Sequence, residues 1–297
     1  MNITGKTIIT FFIVIVVCFG IGLILVPVAK YSPLKTVAVI TILHVIVSFL
    51  FGLITKDYSW TDRLWSTAPI GFAWIYAYAG AFSPLVTLAA ILVTLWGGRL
   101  TFNFARRGGY TGGEDYRWPI LEKKINNPFL WQLFNFGFIA TYQQFLFICF
   151  TIPLYTLSQN TYSITLGSII VTLFVLAFLV LETIADQQQY EFQQAKYNLL
   201  ERQEALSADY KRGFRTTGLF AYSRHPNYLG ELGFWWSLYV LSALSRGSFF
   251  HWTLMGPLLL TLLFIGSTTF TEWITKNKYE EYKKYQKKVW PIFPKLW

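Results

Sequence analysis

Charged side chains are scarce in this sequence: Asp, Glu, Lys and Arg make up 13% of its 297 residues. Soluble globular proteins carry about 25%. Apolar residues make up 54%, and the mean hydropathy is +0.41. No stretch is both polar enough and long enough to form a separate soluble domain. We therefore interpret residues 1–297 as a single integral membrane domain.

Cysteine and histidine are also rare, with two and three residues. Cys18 and Cys149 both lie in apolar runs, where they behave as small hydrophobic side chains. This excludes a disulfide framework and a cysteine cluster for a metal. His44 and His251 stand alone, and the spacings of zinc, haem and iron–sulfur sites, of a nucleophile elbow and of a P-loop are missing. We predict no metal site.

Acidic residues are fewer than basic ones, 15 against 25, which gives a net charge of +10. In a soluble protein this charge would suggest nucleic acid as a partner. Here the basic residues flank the hydrophobic runs, as membrane orientation requires. We expect membrane lipid and no nucleic acid as a partner.

Long apolar runs are the dominant pattern and predict an all-α, polytopic transmembrane bundle of about eight spans. The first two fall in residues 1–60, and we interpret the first as a retained helix rather than a cleaved signal peptide. A break at Gly80–Pro84 separates the third span from the fourth, and merging these two would leave seven spans. The third and seventh are short. The predicted spans are 7–29, 35–55, 66–82, 84–105, 129–157, 163–185, 229–246 and 249–271.

Three polar segments carry most of the Lys and Arg residues. Segments 99–128, 186–228 and 272–297 hold six, six and seven. The positive-inside rule places all three in the cytoplasm. Residues 186–208 have no glycine or proline and predict a helix that continues the sixth span beyond the membrane. The tail from Glu272 to Lys288 mixes tyrosine with lysine and predicts an interfacial helix.

The densest polar run leads into the seventh span, from Gly218 to Glu231. Arg224 and His225 are candidate donors to an anionic ligand, together with Asn227 and the free N–H groups of a helix that starts after Pro226. Glu231 lies four residues beyond Asn227 on the same face. A carboxylate in a membrane span requires a partner or a ligand.

Other polar clusters leave two interpretations open. The cluster near the fourth span is either a loop that closes over phosphate groups or a positive-inside anchor with solvated ion pairs. Glu182 and Asp186 either hydrogen-bond a ribose or an amide, or neutralise nearby arginines. Asp62 is a buried acid or a helix cap, and capping is favoured. The cluster near the fourth span comprises Arg99, Asn103, Arg106, Arg107, Glu114, Asp115 and Arg117.

The run from Tyr222 to Glu231 resembles the C-terminal signature of steroid 5α-reductase-like membrane proteins. The chain is most similar to the DUF1295 branch of that group. The resemblance covers most of the chain after residue 60, so residues 61–297 look like a reductase-like core and the first span like an addition to a seven-helix plan. The Arg-His-Pro core alone is shared with isoprenylcysteine methyltransferases. Further matching segments are Trp96–Leu100, Gly113–Arg117, Glu182 with Asp186, Tyr282–Tyr285 and Phe293–Pro294.

The resemblance implies an NADPH-dependent reductase that passes a hydride to an enone in a lipid-soluble, steroid-like substrate. By the match, Asn227 and Glu231 hold the nicotinamide end of the cofactor and Asp186 contacts the adenosine side. The resemblance also implies cofactor-binding roles for Glu182, Arg224, His225 and Tyr228. It implies the same for the cluster near the fourth span, whose arginines are candidates for the phosphates: Arg99, Arg106, Arg107, Glu114, Asp115 and Arg117.

One departure from the family concerns the substrate carbonyl. Animal steroid reductases polarise it with a tyrosine and a glutamate, but the corresponding region here offers Trp96 and Asp62. An indole donates a hydrogen bond but transfers no proton. Another group, Tyr76, Tyr78 or Tyr222, would have to do so, or the substrate differs. The candidate catalytic residues are Asp62, Trp96 and Tyr222.

Two other functions fit the same residues. An S-adenosylmethionine-dependent methyltransferase would use the Arg-His-Pro run for the cofactor's carboxylate, but it would not need an arginine cluster for phosphates. A non-catalytic lipid-binding protein would need neither. We expect a bacterial inner-membrane protein with its cofactor site on the cytoplasmic side. The sequence does not set the oligomeric state, and a monomer fits it.

Overall fold

The computed structural model describes residues 3–294, and every helix or strand element in that range is helical. Outside the helices, an isolated β-bridge pairs Ser223 with Trp290. The all-α helical bundle is thereby confirmed. The helices are α1 Ile3–Leu25, α2 Pro33–Thr55, α3 Trp60–Leu64, α4 Thr67–Ala79, α5 Pro84–Arg106, α6 Arg117–Ile125, α7 Pro128–Phe134, α8 Gln143–Ser158, α9 Leu166–Glu201, α10 Ala208–Arg212, α11 Pro226–Arg246, α12 Met255–Lys278 and α13 Tyr282–Lys288.

Six helical stretches of the described chain are long and apolar enough to cross a membrane. The other two predicted spans also form helices. α4 has only 13 residues, which corresponds to about 20 Å and falls short of the hydrocarbon thickness. α11 has 21 residues but is less apolar than the six. The six stretches are Ile8–Leu25, Pro33–Thr55, Pro84–Arg106, Pro128–Ser158, Leu166–Glu201 and Trp252–Lys278.

Proline sets the start of several helices. Pro33, Pro84 and Pro128 each occupy the first turn, where the missing N–H costs nothing. Asn127 adds a side-chain cap by accepting a hydrogen bond from the backbone N–H of Leu130 at 3.0 Å. The predicted break at Gly80–Pro84 is confirmed, because α4 ends before it and α5 begins at Pro84. The two helices are therefore not merged into one span, and the number of spans, eight or seven, stays a prediction.

The chain divides into two compact units. The first contains residues up to Ile169 together with Leu238–Pro257. Its helices α4 and α5 form a hairpin whose close packing depends on Gly97, where a Cβ would lie 2.5 Å from the carbonyl oxygen of Ser66. The expectation of a single domain over 1–297 stays a prediction.

A π-helix, Asn135–Tyr142, joins α7 to α8 in the first unit. The predicted fifth span, 129–157, is therefore a composite of α7, the π-helix and α8. π-Helical turns are rare and often occur at functional sites. This one leads directly into Gln143 and Gln144, two buried amides in an otherwise apolar helix.

The second unit contains Ile170–Ser237 and the chain from Leu258 onward. α9 is 36 residues long, or about 54 Å, so the predicted polar continuation of this span is confirmed as far as Glu201. The short helix α13 buries Tyr282 and Tyr285 in a cluster with Phe214 and Val289. Its tyrosines therefore attach the tail to the unit.

Candidate functional site

Two glycines bring α11 against α9 in the second unit. A Cβ at Gly230 would lie 2.5 Å from the Cβ of Glu182 and 2.9 Å from its Cα. A Cβ at Gly233 would lie 2.3 Å from the ring of Phe178. Real Cβ atoms do not approach other atoms so closely, so only glycine permits this helix contact. The polar residues of the two helices therefore lie at the contact between α9 and α11.

Asp186 of α9 and Asn227 of α11 are hydrogen-bonded at this helix contact. The side-chain N–H of Asn227 donates to Oδ1 of Asp186 at 3.3 Å. One turn further along α11, Glu231 accepts a hydrogen bond from the indole N–H of Trp235 at 3.2 Å. Asp186, Glu231 and Glu182 are all buried. The structure therefore brings together the acids and the amide that the sequence singled out.

Arg224 and His225 share an internal partner, Glu272 of α12. The guanidinium donates to both oxygens of Glu272, from Nε at 2.6 Å and from Nη2 at 2.9 Å. Nε2 of His225 lies 3.0 Å from the same carboxylate. The amide of Gln286 donates to Glu272 as well, at 2.7 Å.

The C-terminal tail is fixed to the Arg-His-Pro motif. The backbone N–H groups of Arg224 and His225 donate to the carbonyl oxygens of Trp290 and Pro291, each at 2.9 Å. The guanidinium Nη1 of Arg224 also donates to the carbonyls of Gln286 and Val289. Every guanidinium nitrogen of Arg224 therefore has an acceptor within the chain.

These contacts change the interpretation of the motif. Arg224 and His225 were expected to face an anionic ligand, but the structure uses both to join α11, α12 and the tail. Tyr228 stacks on His225, with ring centroids 5.0 Å apart. The cofactor-binding roles of Arg224, His225 and Tyr228 stay predictions. Tyr222, the candidate catalytic tyrosine of the same run, is 58% exposed.

A cavity of about 430 Å³ lies in the second unit, beside the polar half of α9. Its volume falls in the usual range of small-molecule sites. Arginine, carboxylate, hydroxyl and aromatic side chains line it, and none of them was singled out from the sequence. The lining residues are Glu191, Phe192, Ala195, Ser207, Asp209, Tyr210, Arg212, Phe214, Arg215, Thr216 and Thr217.

Gln188 ties the cavity wall to α9 close to Asp186. Arg215 donates from Nη1 to the carbonyl oxygen of Gln188 at 2.6 Å. The side-chain oxygen of Gln188 accepts from the backbone N–H of Leu219 at 3.0 Å. Gly218 lies against the same side chain with φ of +66°, a conformation that favours glycine. The cavity and the Asp186–Asn227 pair are thus neighbours along one helix.

A second polar cluster surrounds Asp62 in the first unit. The indole N–H of Trp118 donates to Oδ2 of Asp62 at 2.8 Å. Asp62 lies inside α3, whose N-cap is Ser59, so the favoured interpretation of Asp62 as a cap was wrong. Burial, followed by the charge of Asp115, raises the pKa of the Asp62 carboxyl to about 6, against the opposing effect of Arg117.

The loop after α5 is held against α3. Glu114 accepts from the backbone N–H of Tyr58 at 2.9 Å, and the N–H of Asp115 donates to Oγ of Ser59 at 2.8 Å. Asp115 also forms an ion pair with Arg117, with Nε 2.8 Å from Oδ1. Burial raises the pKa of the Glu114 carboxyl. The acids of this loop therefore bind local partners.

The predicted phosphate-binding arginines also belong to the first unit, whereas the Arg-His-Pro motif belongs to the second. Arg106 donates from Nε and Nη2 to the side-chain oxygen of Asn103, at 2.9 and 2.7 Å. Arg107 is exposed and Arg99 is half-buried. Their roles, and that of Arg117, stay predictions.

The candidate proton donors differ in burial. Trp96 is fully buried in α5. Tyr76 is also fully buried, with its ring 5.9 Å from that of Tyr155. Tyr78 is 55% exposed. Of the three tyrosines considered, Tyr76 alone is buried, and it belongs to the first unit.

Sequence reasoning missed Glu272, Gln286 and the cavity. A usable signal existed for Glu272, because it is an acid near the end of an apolar run, as Glu231 is near the start of another. Gln286 carried no such signal. Arg212 and Arg215 flank Gly213 and precede two threonines, a pattern that suits a polar loop.

The fold and the site define a polytopic helical membrane protein with a buried acid–amide cluster at the start of a late helix. The chain belongs to the DUF1295 family, described as proteins of unknown function, whose model matches residues 48–289. It is 35% identical over 285 aligned residues to an uncharacterized protein of Schizosaccharomyces pombe, covering 86% of this chain and 80% of the relative. No solved structure matches.

Proposed function

We propose that the protein is a membrane-embedded, NADPH-dependent reductase that transfers a hydride to a conjugated carbon–carbon double bond of a lipid-soluble substrate. One observation carries the proposal. The partly buried Asp186–Asn227 pair and a cavity that contains Arg212 and Arg215 adjoin the same helix, α9. Asp186 and the cavity residue Glu191 are five positions apart, about 7.5 Å along the helix axis.

The side chains present fit the chemical groups of NADPH. Arginine suits phosphate, carboxylates suit ribose hydroxyls, and an amide suits the carboxamide of nicotinamide. The cavity wall contains two arginines and two acids, Glu191 and Asp209. Arg212 and Asp209 form an ion pair within this wall at 3.1 Å, so Arg215 and Glu191 are the charged residues proposed to meet the phosphate and hydroxyl groups of the ligand.

When bound, NADPH supplies the hydride, and the chain supplies orientation and a dry environment. The bond to Asp186 fixes the amide plane of Asn227, and the bond from Trp235 fixes the carboxylate of Glu231. Arg224 and Glu272 hold the start of α11 in place and so position Asn227. Tyr222 is the candidate source of the proton, because of the three tyrosines it is the one in the same unit as Asn227 and Glu231.

The methyltransferase alternative loses part of its basis. It would use the Arg-His-Pro run for the carboxylate of S-adenosylmethionine, but Arg224 and His225 already share a carboxylate partner in Glu272. The reductase does not depend on Arg224. Of the two cavity arginines, Arg212 is paired with Asp209 and Glu281, whereas Arg215 donates to carbonyl oxygens and is the candidate phosphate donor.

We further propose that the cofactor site faces the cytoplasm of a bacterial inner membrane. The support is the density of Lys and Arg in residues 186–228 and 272–297, which include the cavity and the tail.

The experiment is a calorimetric titration of detergent-purified protein with NADPH, NADP⁺ and S-adenosylmethionine. We expect NADPH to bind, and an Asp186→Asn, Glu231→Gln double variant to lose that binding. Glu280→Gln is the matched control, since Glu280 is an exposed acid of the same unit. Binding of S-adenosylmethionine alone would establish the methyltransferase, and silence from all three compounds would favour a non-catalytic lipid-binding role.

A further inference from the structure

His44 is a fully buried histidine at the midpoint of α2, a membrane-spanning helix. Within the described chain, neither of its ring nitrogens has a hydrogen-bond partner. The ring of Phe19 meets the imidazole edge-on, with ring centroids 5.5 Å apart. An ionisable side chain in a membrane span indicates a functional site, because lipid offers it no partner.

Gln144 is a second buried polar side chain that lacks part of its hydrogen bonding. It is 0% exposed, and its side-chain oxygen has no partner among the residues that the structure describes. Its amide nitrogen donates to Oγ of Ser48 over a long 3.4 Å. Ser48 lies four residues after His44, on the same face of α2. Ser48 thus contacts Gln144 and lies one helical turn from His44 on the buried face of α2.

A structural role does not account for these side chains. Buried polar atoms are nearly always hydrogen-bonded, and an unpaired one destabilises the folded protein. A histidine and a glutamine that served only packing would be replaced by apolar residues at a gain in stability. The π-helix Asn135–Tyr142, which ends just before Gln143, adds an irregular turn to the same helix.

The open donors and acceptors limit which polar group of a ligand fits here. A neutral imidazole has one donor and one acceptor, and the oxygen of Gln144 adds an acceptor. A carbonyl group only accepts and would leave both acceptors unpaired. A hydroxyl group accepts from the imidazole N–H and donates to Gln144 or to the imidazole nitrogen, so it leaves one acceptor unpaired where a carbonyl leaves two.

We propose that His44, Ser48 and Gln144 form a binding site for the hydroxyl group of a lipid alcohol in the membrane interior of the first unit. The remainder of the ligand lies in apolar surroundings, because the same face of α2 also buries Val37 and Ile40. The proposal does not rest on the NADPH-dependent activity. It concerns a different unit and requires no cofactor.

The test compares hexadecan-1-ol, 1-methoxyhexadecane, hexadecan-2-one and hexadecane as competitors. They displace a diazirine-bearing hexadecanol from purified protein in nanodiscs, and mass spectrometry reads the crosslinks. The alcohol is expected to compete at least about tenfold better than the ether and the ketone, since one hydrogen bond in a dry site is worth about 1.4 kcal/mol. Crosslinks are expected in α2 and α8.

The variants assign the effect to individual side chains. His44→Phe and Gln144→Leu are each expected to remove the preference for the alcohol. Thr41→Val is the matched control and keeps it, because the Thr41 hydroxyl already bonds to the carbonyl of Val37. An equal affinity for alcohol and ether, or a preference that survives both variants, would overturn the proposal.

Thermal unfolding separates ligand binding from misfolding. Without ligand, His44→Phe and Gln144→Leu are expected to be at least as stable as the natural protein. The ring nitrogens of His44 make no hydrogen bond that the substitution could remove, and Gln144→Leu removes only the long hydrogen bond to Ser48. Hexadecanol is expected to raise the Tm of the natural protein and of Thr41→Val only. A rise in both site variants would contradict the proposal.

Discussion

Arg224 and Glu272 form a bidentate ion pair, with Nε 2.6 Å from Oε1 and Nη2 2.9 Å from Oε2. Both side chains are 9% exposed. The pair joins the loop before α11 to the end of α12, and His225 and Gln286 share its carboxylate. The Arg-His-Pro motif of this chain therefore has a structural basis that is independent of any ligand.

Glu272→Gln is expected to destabilise the second unit by about 3 kcal/mol, because it leaves a buried guanidinium without its counter-charge. Hydrogen exchange of residues 282–292 should accelerate, since Arg224 also holds the tail carbonyls. Glu280→Gln, at an exposed position, should change neither. Unchanged exchange in Glu272→Gln would show that the tail is fixed by other contacts.

Gly230→Ala is expected to destabilise the protein by about 1–3 kcal/mol, because the new methyl group would overlap the backbone of Glu182. Gly266→Ala in α12 is the matched control. Nothing lies within 4 Å of a Cβ there, so it should be neutral or stabilising by up to about 1 kcal/mol. Equal effects of the two substitutions in thermal unfolding would contradict the close contact of α9 and α11.

The stability of the first unit should depend on pH through Asp62. Its pKa is about 6 in the folded protein, above the ordinary value of 3.8. The folded state binds the proton more tightly, so this contribution to stability is complete below about pH 4 and is lost as the pH rises through 6. Asp62→Asn, which can still accept from Trp118, should flatten this part of the profile. Thermal unfolding between pH 4 and 7 measures it, and identical profiles would refute the assignment.

Arg215→Gln is expected to weaken NADPH binding by about 10- to 100-fold, because a charge-assisted hydrogen bond is worth about 1.5–3 kcal/mol. Lys211→Gln is the matched control, a loss of positive charge at an exposed position of the same segment. Calorimetric titration compares the two. A similar small loss in both variants would indicate long-range attraction instead of a contact in the cavity.

Much of the fold was accessible from the sequence because apolar length and proline position act locally. The break before Pro84 and the polar extension of α9 follow from rules that concern neighbouring residues. The π-helix before Gln143 does not, since it depends on how α8 packs. The length of α4 also differed: the apolar run 66–82 exceeds the 13-residue helix it contains.

The site was predictable in part for the same reason. Asn227 and Glu231 are four residues apart and therefore share a face of α11. Glu182 and Asp186 are also four residues apart and share a face of α9. Which helices meet was not predictable, because the contact of Gly230 with Glu182 is a tertiary event. The pairing of Arg224 with Glu272 spans 48 residues and was missed for that reason.

The most direct test of the reductase proposal is the transfer of label from NADPH that carries deuterium at its hydride-donating carbon. Membranes containing the natural protein are incubated with this cofactor, and the lipid extract is analysed by mass spectrometry. We predict a lipid that gains one deuterium and one proton across a former double bond, absent with Asp186→Asn, Glu231→Gln and present with Glu280→Gln. Lipid that acquires no deuterium, but acquires a labelled methyl group from S-adenosylmethionine, would contradict the proposal.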